Sequence, residues 1–242
     1  MATPIKVLVT GFGPFLDIKT NPSHLLTLNL PATLLSTSHT PITLIIPPTY
    51  IPAAYHAIHT QIPSLIAQHD PDIVLHIGLA VDREYFAVEK SAQREGYHEI
   101  PDVERKVVTR GENRTWFGGK KEGPDVLVSG VELEGVVEAW WGGCKGLGME
   151  GKKGGEVVRG KGKAGKGEKG RKGVDVRLSD DVGTYVCGFM YYVGLLEMQR
   201  RKGRRDVVFL HIPMLEGDEE VSIGVAVVER LIVAIVDAWE YR

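Results

Sequence analysis

The amino-acid sequence predicts one α/β domain over residues 1–242, an α/β/α sandwich with a largely parallel, twisted central sheet. Helix-like segments separate five apolar runs, and strands that alternate with helices pair in parallel. A chain of 242 residues, 43% of them hydrophobic, can bury one sizeable core. The predicted strands, in order, are KVLVTGF, ITLIIPP, DIVLHIG, VDVRLS and VVFLHIP.

Four segments have the length and composition of helices. The last of them is apolar at nearly every position, which indicates packing against the sheet or against a second subunit, so a homo-oligomer is one interpretation. Pro63 should break or kink the second helix, because proline lacks the N–H that a helix interior needs. The predicted helices cover residues 22–29, 52–69, 185–199 and 219–239.

The composition of the chain indicates in which compartment it works and whether it binds a metal or a membrane. The two cysteines, Cys144 and Cys187, provide neither a disulfide framework nor zinc-ligand spacing, so we predict no metal and no cofactor. The N-terminus lacks a secretion signal, and no uncharged apolar run approaches the ~20 residues that a membrane span needs. We therefore expect a cytoplasmic protein without a membrane partner.

Residues 145–173 differ from the rest of the chain. This Gly/Lys-rich segment contains ten basic and three acidic residues, net +7, whereas the whole chain carries −2. Few large apolar residues are available to offset the entropy of ordering it, so the sequence predicts a disordered inserted loop. Binding to nucleic acid is the alternative, and it is disfavoured because no aromatic residues are interleaved with the charges.

Cys187 is the first candidate for chemistry. It follows a Gly-Thr turn in SDDVGTYVCGFMYY, where a strand should end and a helix should begin. The partial positive charge of a helix N-terminus lowers a thiol pKa, so we expect Cys187 to be a reactive nucleophile. A buried, inert cysteine is the competing interpretation for this residue considered alone.

A nucleophilic cysteine needs a base and a group that orients the base. His211 ends the buried run DVVFLHIPML, and Glu89 lies in REYFAVEKSA, just after another buried strand. These two residues are our candidates for the base and the orienting acid. His76 is inside an apolar strand, where a hydrogen-bonded core histidine is the more common outcome.

Four blocks of the sequence carry a family resemblance. They are KVLVTGFGPFLDIKTNPS, HIGLAVDREYFAVEK, SDDVGTYVCGFMYY and VFLHIPML. The first, with TGFxPF and a downstream NPS, and the third, with GxYxC, are the most specific. Together the blocks resemble the pyroglutamyl peptidase I family of cysteine peptidases, with features closer to its eukaryotic members. They occur in the order of the family and, with the helices between them, span the chain apart from the inserted segment.

The resemblance implies a phosphorylase/hydrolase-like fold and hydrolysis of the bond after an N-terminal pyroglutamate in peptides. Position by position, it implies a catalytic triad and a thioester acyl-enzyme. Aromatic faces suit a flat, weakly polar lactam ring. The implied catalytic residues are Glu89, Cys187 and His211, and the implied substrate-binding residues are Phe12, Phe15, Leu79 and Ile100.

Several positions depart from the bacterial pattern of the family, among them Asp82, Glu99 and Gly188. These changes favour the alternative of an inactive pyroglutamyl-binding homologue, whereas the intact triad favours an enzyme. A nucleotide-binding protein is a weaker alternative. TGFGPF follows the first strand, but Pro14 and Phe15 stand where a dinucleotide fingerprint needs a glycine that opens a helix.

Overall fold

The computed structural model describes residues 3–118, 124–150 and 171–241 and contains eleven strands within these ranges. Seven of them form the central sheet, and four short ones form two separate ribbons. The strands are β1 (Ile5–Gly11), β2 (Thr33–Leu35), β3 (Pro41–Ile45), β4 (Ile73–Leu79), β5 (Phe86–Glu89), β6 (Ser91–Gln93), β7 (Val126–Val128), β8 (Gly148–Glu150), β9 (Arg171–Gly173), β10 (Val176–Ser179) and β11 (Val207–Ile212).

Six helices of the described ranges cover both faces of the sheet. Two separate groups of buried side chains result, one on each face. One group joins α1, α4 and α6 to the sheet, and the other joins α2 and α5 to it, so the architecture is an α/β/α sandwich. The helices are α1 (Pro22–Asn29), α2 (Tyr55–His69), α3 (Arg110–Phe117), α4 (Leu133–Gly143), α5 (Val186–Lys202) and α6 (Gly217–Glu240).

The strand order in the central sheet is β10-β5-β11-β4-β1-β3-β2. Four of its six pairings are parallel, and the β5–β11 and β2–β3 pairings are antiparallel. The predicted fold class, an α/β sandwich with a largely parallel sheet, is therefore confirmed. Strands β1, β4 and β11 are adjacent and parallel, so their carboxyl ends meet at one edge of the sheet.

All five predicted strands and all four predicted helices are present. The expectation that Pro63 breaks its helix is wrong, because α2 runs from Tyr55 to His69 through this residue, and a kink there stays a prediction. Packing of Ile58, Ile62 and Ile66 against the core favours the helix over the loss of one backbone hydrogen bond. Strand β5, which carries Glu89, was not among the predicted strands because it contains only four residues.

The start of α1 fixes the loop after β1. Asn21 caps the helix by accepting a hydrogen bond of 3.0 Å from the Ser23 N–H, and its side-chain amide donates to the Gly13 carbonyl at 2.9 Å. The Ser23 hydroxyl accepts a bond of 3.0 Å from the Phe12 N–H. These contacts give a structural reason for the NPS sequence, since they hold the Phe12 segment against the helix.

The ends of the Gly/Lys-rich segment form the antiparallel ribbon of β8 and β9, in which Gly148 pairs with Gly173. Residues 151–170 lie outside the described residues, so a disordered loop there stays a prediction. None of the helices within the described ranges combines the length and the apolar character that a membrane crossing requires.

Candidate active site

His211 and Glu89 form a buried pair on neighbouring strands. The Nδ1 atom of His211 lies 2.8 Å from Oε1 of Glu89. Glu89 is opposite Phe209 in the antiparallel pairing of β5 and β11, so its side chain and that of His211 lie on the same face of the sheet. Because an ionised carboxylate only accepts hydrogen bonds, Nδ1 carries the proton and Nε2 is left available for another partner.

Further groups hold the Glu89 carboxylate. The Arg83 guanidinium donates to Oε1 at 2.6 Å, and the Asp181 N–H donates to Oε2 at 3.1 Å. Arg83 also donates to the Asp181 carbonyl at 2.6 Å. The arginine therefore connects the acid of β5 to the loop that leads into α5, the helix that carries Cys187.

Cys187 is the second residue of α5, as predicted. Its N-cap residue, Tyr185, makes no side-chain capping bond, and the first backbone bond of the helix runs from the Phe189 N–H to the Tyr185 carbonyl. The amides of the first turn therefore point out of the helix end beside the thiol, as they do at any helix N-terminus.

Gly78 places the thiol over the sheet beside His211. A Cβ atom at Gly78 would lie 2.9 Å from Sγ of Cys187 and 2.8 Å from the Phe209 ring. Gly78 is the parallel partner of His211 in the β4–β11 pairing, so both positions face the same side of the sheet. The Phe209 and His211 rings are in contact, with centroids 4.9 Å apart. The thiol and the imidazole thus share one small region of the sheet surface.

The expectation of a lowered thiol pKa is wrong. Burial, followed by the negative charge of Glu89, raises the pKa of Cys187 to about 12, and the positive charge of Arg83 only partly opposes this. Desolvation of a thiolate outweighs the partial charge of one helix end. The Cys187 thiol is consequently neutral at rest and would have to lose its proton to act as a nucleophile.

Glu89 is ionised in spite of its burial. Burial raises its pKa, but hydrogen bonds from His211, Ser179 and Arg83 and the charge of His211 outweigh burial and lower the pKa to about 2. His76 behaves differently, because burial alone lowers its pKa to about 3. Its Nδ1 lies 2.7 Å from the Thr10 hydroxyl, so His76 is a neutral histidine of the core.

An apolar cavity of about 40 Å³ adjoins the thiol. Phe12, Phe15 and Leu79, three of the four residues predicted to bind substrate, line it together with Cys187. Ile100 is not among the lining residues. Its side chain is 48% exposed, and its backbone carbonyl accepts a bond from the Tyr55 hydroxyl. Lining residues that the sequence did not indicate are Asn21, Ala53, Tyr185 and Val186.

The positions that depart from the bacterial pattern have different surroundings. Asp82 and Glu99 are exposed. At Gly188, in contrast, an added Cβ would lie 2.1 Å from the Gly183 carbonyl oxygen, so no larger residue fits this backbone. A glycine at position 188 thus allows the loop before α5 to pass close to the helix.

Arg83 and Gly78 are the main site residues that sequence reasoning missed. Both occur in GLAVDR, Gly78 near the end of the buried strand β4 and Arg83 just after it, and that placement was the available signal. A glycine at a strand end indicates that another group approaches closely. An arginine six residues before a candidate acid gives no such indication, because the turn that brings them together is not predictable from spacing.

The fold and this arrangement of side chains define a class. A cysteine at a helix start, a histidine at a strand end and a carboxylate that orients the histidine are the components of a cysteine-type hydrolase.

Comparison with known sequences narrows this class. A family model described as pyroglutamyl peptidase matches residues 5–115. Pyroglutamyl-peptidase 1 of Rattus norvegicus is 26% identical over 223 residues, which cover 89% of this chain and 82% of the relative. Pyrrolidone-carboxylate peptidase of Streptococcus suis (strain 05ZYH33) is 26% identical, with 98% and 94% covered. The resemblance to the pyroglutamyl peptidase family is therefore confirmed.

Solved structures agree at the level of the fold. The pyrrolidone carboxyl peptidase from Thermococcus litoralis superposes with a TM-score of 0.68 at 15% identity, over 98% of this chain and 96% of that one. Pyroglutamyl peptidase I from Bacillus amyloliquefaciens gives 0.67 at 19% identity, over 96% and 97%. The same α/β sandwich thus extends over nearly the whole of each chain.

Proposed function

We propose that this protein is a pyroglutamyl-peptidase I, a cysteine peptidase that removes an N-terminal pyroglutamate from peptides. The single observation that carries the proposal is the His211–Glu89 pair on the sheet face beneath the Cys187 thiol, next to an apolar cavity. The family resemblance supplies the substrate class, since relatives are named for this activity.

The reaction begins with proton transfer, because the thiol is neutral at rest. Nε2 of His211 takes the proton of Cys187 as Sγ attacks the carbonyl carbon that joins pyroglutamate to the next residue. The imidazole becomes positively charged, and the ionised Glu89 beside Nδ1 stabilises that charge. A C–S bond forms, and the carbonyl electron pair moves to oxygen.

The amides at the start of α5 are the donors we propose for that oxygen. An unpaired N–H group stabilises the transition state most where negative charge develops in a site from which water is excluded. His211 then donates its proton to the departing amine, the C–N bond breaks, and a pyroglutamyl thioester on Cys187 remains. A water molecule that gives its proton to the same imidazole hydrolyses the thioester and restores the thiol.

Phe12, Phe15 and Leu79 are the residues we propose for recognition of the lactam ring. They line the cavity beside Cys187, and their apolar surfaces suit a flat ring that has a single amide to satisfy. Ile100 remains part of the proposal only as a residue that could contact a bound peptide, because it is exposed outside this cavity.

A reducing compartment such as the cytoplasm suits this chemistry. Both Cys144 and Cys187 are free thiols, and oxidation of Cys187 would remove the nucleophile.

Product analysis tests the proposed function. The purified protein is incubated with a short peptide that begins with pyroglutamate, and the products are identified by mass spectrometry. We expect 5-oxoproline and the peptide shortened by one residue. Matched peptides that begin with proline or glutamine should stay intact. Cleavage of these controls, or an internal cut in the pyroglutamyl peptide, would contradict the proposal.

A further inference from the structure

A second cavity lies apart from the apolar one at the thiol. It has a volume of about 530 Å³, and no residue lines both cavities. Its walls come from the segment 94–98, from Val108 and from α3, and three arginines contribute to them. The lining arginines are Arg94, Arg110 and Arg114.

One of these arginines is rigid. Arg94 is 1% exposed, and its Nη2 lies 2.6 Å from Asp125 Oδ1 and 3.5 Å from Glu95 Oε1. Its backbone carbonyl accepts a bond of 2.7 Å from the amide of Asn113, a residue of α3. The backbone of Arg94 is therefore tied to the helix that carries the other two arginines.

The other two arginines lie close together on α3. Arg110 and Arg114 are exposed, lie one turn apart on α3, and make no ion pair with any acid of the described ranges. Like charges at this spacing destabilise a helix, and Arg110 is the first residue of α3, where the helix end itself is positive. An anionic ligand would relieve both effects.

The cavity adjoins the segment that presents the thiol. Gly96, in its wall, packs on Thr184, since a Cβ there would lie 2.7 Å from the threonine Cγ2. Tyr97, also in the wall, has its hydroxyl 3.2 Å from the Cβ position of Gly188. Thr184 and Gly188 flank Cys187 in the sequence. The acyl part of a substrate would occupy the apolar cavity, which leaves this second cavity for the peptide beyond the cleaved bond.

We propose that the cavity lined by Arg94, Arg110 and Arg114 binds a carboxylate of the leaving peptide and so selects acidic pyroglutamyl peptides. This inference rests on the proposed function. Guanidinium groups match carboxylates in geometry and charge, and no acid of the described ranges holds Arg110 or Arg114 away from one. The carboxylate is either the peptide C-terminus or an Asp or Glu side chain.

Binding to a variant that cannot cleave tests this inference. Fluorescently labelled pyroglutamyl pentapeptides are titrated against Cys187→Ala protein and followed by anisotropy. One peptide has a free C-terminus, a second has a C-terminal amide, and a third has the amide and an internal Glu. We expect the first or the third to bind about tenfold more tightly than the second, and the difference to shrink in high salt. Which of the two gains affinity identifies the source of the carboxylate.

The matched variants carry Arg110→Gln with Arg114→Gln, or Arg201→Gln alone. Arg201 is exposed near the far end of α5 and pairs only with Glu197 in the described structure. The preference for acidic peptides should vanish in the double variant and persist in the control. Equal affinity for all three peptides, or a preference that survives the double substitution, would overturn the inference.

Measurements of turnover distinguish a failure of the proposed function from a failure of the inference about the second cavity. The double substitution, made in protein that retains Cys187, should leave hydrolysis of a small uncharged pyroglutamyl amide unchanged, because that substrate does not reach the second cavity. Absence of this hydrolysis in the parent protein refutes the proposed function. The contrast between acidic and amidated peptides in the binding assay tests the second cavity in either case.

Discussion

Arg83 donates its hydrogen bond to the same oxygen of Glu89, Oε1, that faces His211. One carboxylate oxygen therefore serves two cations when the histidine is protonated. Glu89 is fully buried, so its charge depends on these partners for compensation. The arrangement links a structural ion pair to the orientation of the proposed catalytic base.

Arg83→Gln should destabilise the protein by roughly 3 kcal/mol, because it leaves a buried carboxylate without the arginine that pairs with it. Chemical denaturation would measure the change in the free energy of unfolding. Lys90→Gln is a matched control, since the Lys90–Glu134 pair is exposed on the surface and contributes little. An equal effect of both substitutions would show that Arg83 is not needed for burial of Glu89.

The stability of the protein should decrease at low pH in a way that depends on Glu89. Its pKa is lowered to about 2 in the folded protein, from an ordinary value of 4.5. A lowered pKa adds stability above the unfolded value, and this contribution is lost as pH falls from about 4.5 through about 2. Unfolding followed between pH 6 and 2 should show a smaller decrease for Glu89→Gln. A parallel decrease in both proteins would contradict the assignment.

Gly78→Ala should impair both packing and turnover. The added methyl group would lie within 3 Å of the Cys187 sulfur and of the Phe209 ring, and overpacking of this kind costs about 1–3 kcal/mol. We expect a lower melting temperature and at least a tenfold lower kcat/KM. Gly142→Ala is the control, because a Cβ there meets no atom within 4 Å. Wild-type turnover by Gly78→Ala would show that the close approach of Gly78 to the thiol is not needed for activity.

Alkylation of Cys187 should depend steeply on pH. Since its pKa is raised to about 12, the thiolate fraction should rise about tenfold per pH unit between pH 7 and 9 without a plateau. Loss of activity with iodoacetamide measures the rate, and peptide mapping should find Cys187 modified before Cys144, which is only 3% exposed. A plateau below pH 8 would instead indicate a preformed thiolate–imidazolium pair.

Phe15→Ala should weaken substrate binding more than Ile100→Ala. Phe15 lines the cavity at the thiol, whereas Ile100 is exposed outside it. Loss of the aromatic surface should raise KM for a pyroglutamyl amide about tenfold, with a small effect on the melting temperature because Phe15 is only half-buried. If Ile100→Ala had the larger effect on KM, the lactam ring would have to bind beside Ile100 and not in the cavity at the thiol.

The sequence predicted the sheet, the main helices and the start of α5 because each has a strong local pattern. The runs around His76 and His211 contain more consecutive apolar residues than a surface strand does. Cys187 follows a turn before a long apolar helix. The ionisation of the site could not be predicted in the same way. A helix end favours a thiolate, but the desolvation of Cys187 and the nearby charge of Glu89 depend on tertiary packing.

The Arg83–Glu89 bond and the arginine-lined cavity also escaped prediction, since both depend on turns and on how separate elements pack together. Ile100 illustrates the opposite case. A family motif indicated it, but this chain places its side chain in solvent.

The central claim is that Cys187 performs the hydrolysis of pyroglutamyl substrates. The most direct test is the release of a fluorescent amine from a pyroglutamyl amide under reducing conditions, by wild-type protein and by Cys187→Ala. We predict turnover by the wild type and none by the variant, with both proteins folded by circular dichroism. Equal rates for the two proteins, or no turnover by folded wild-type protein, would contradict the claim, and the second result would favour an inactive pyroglutamyl-binding homologue.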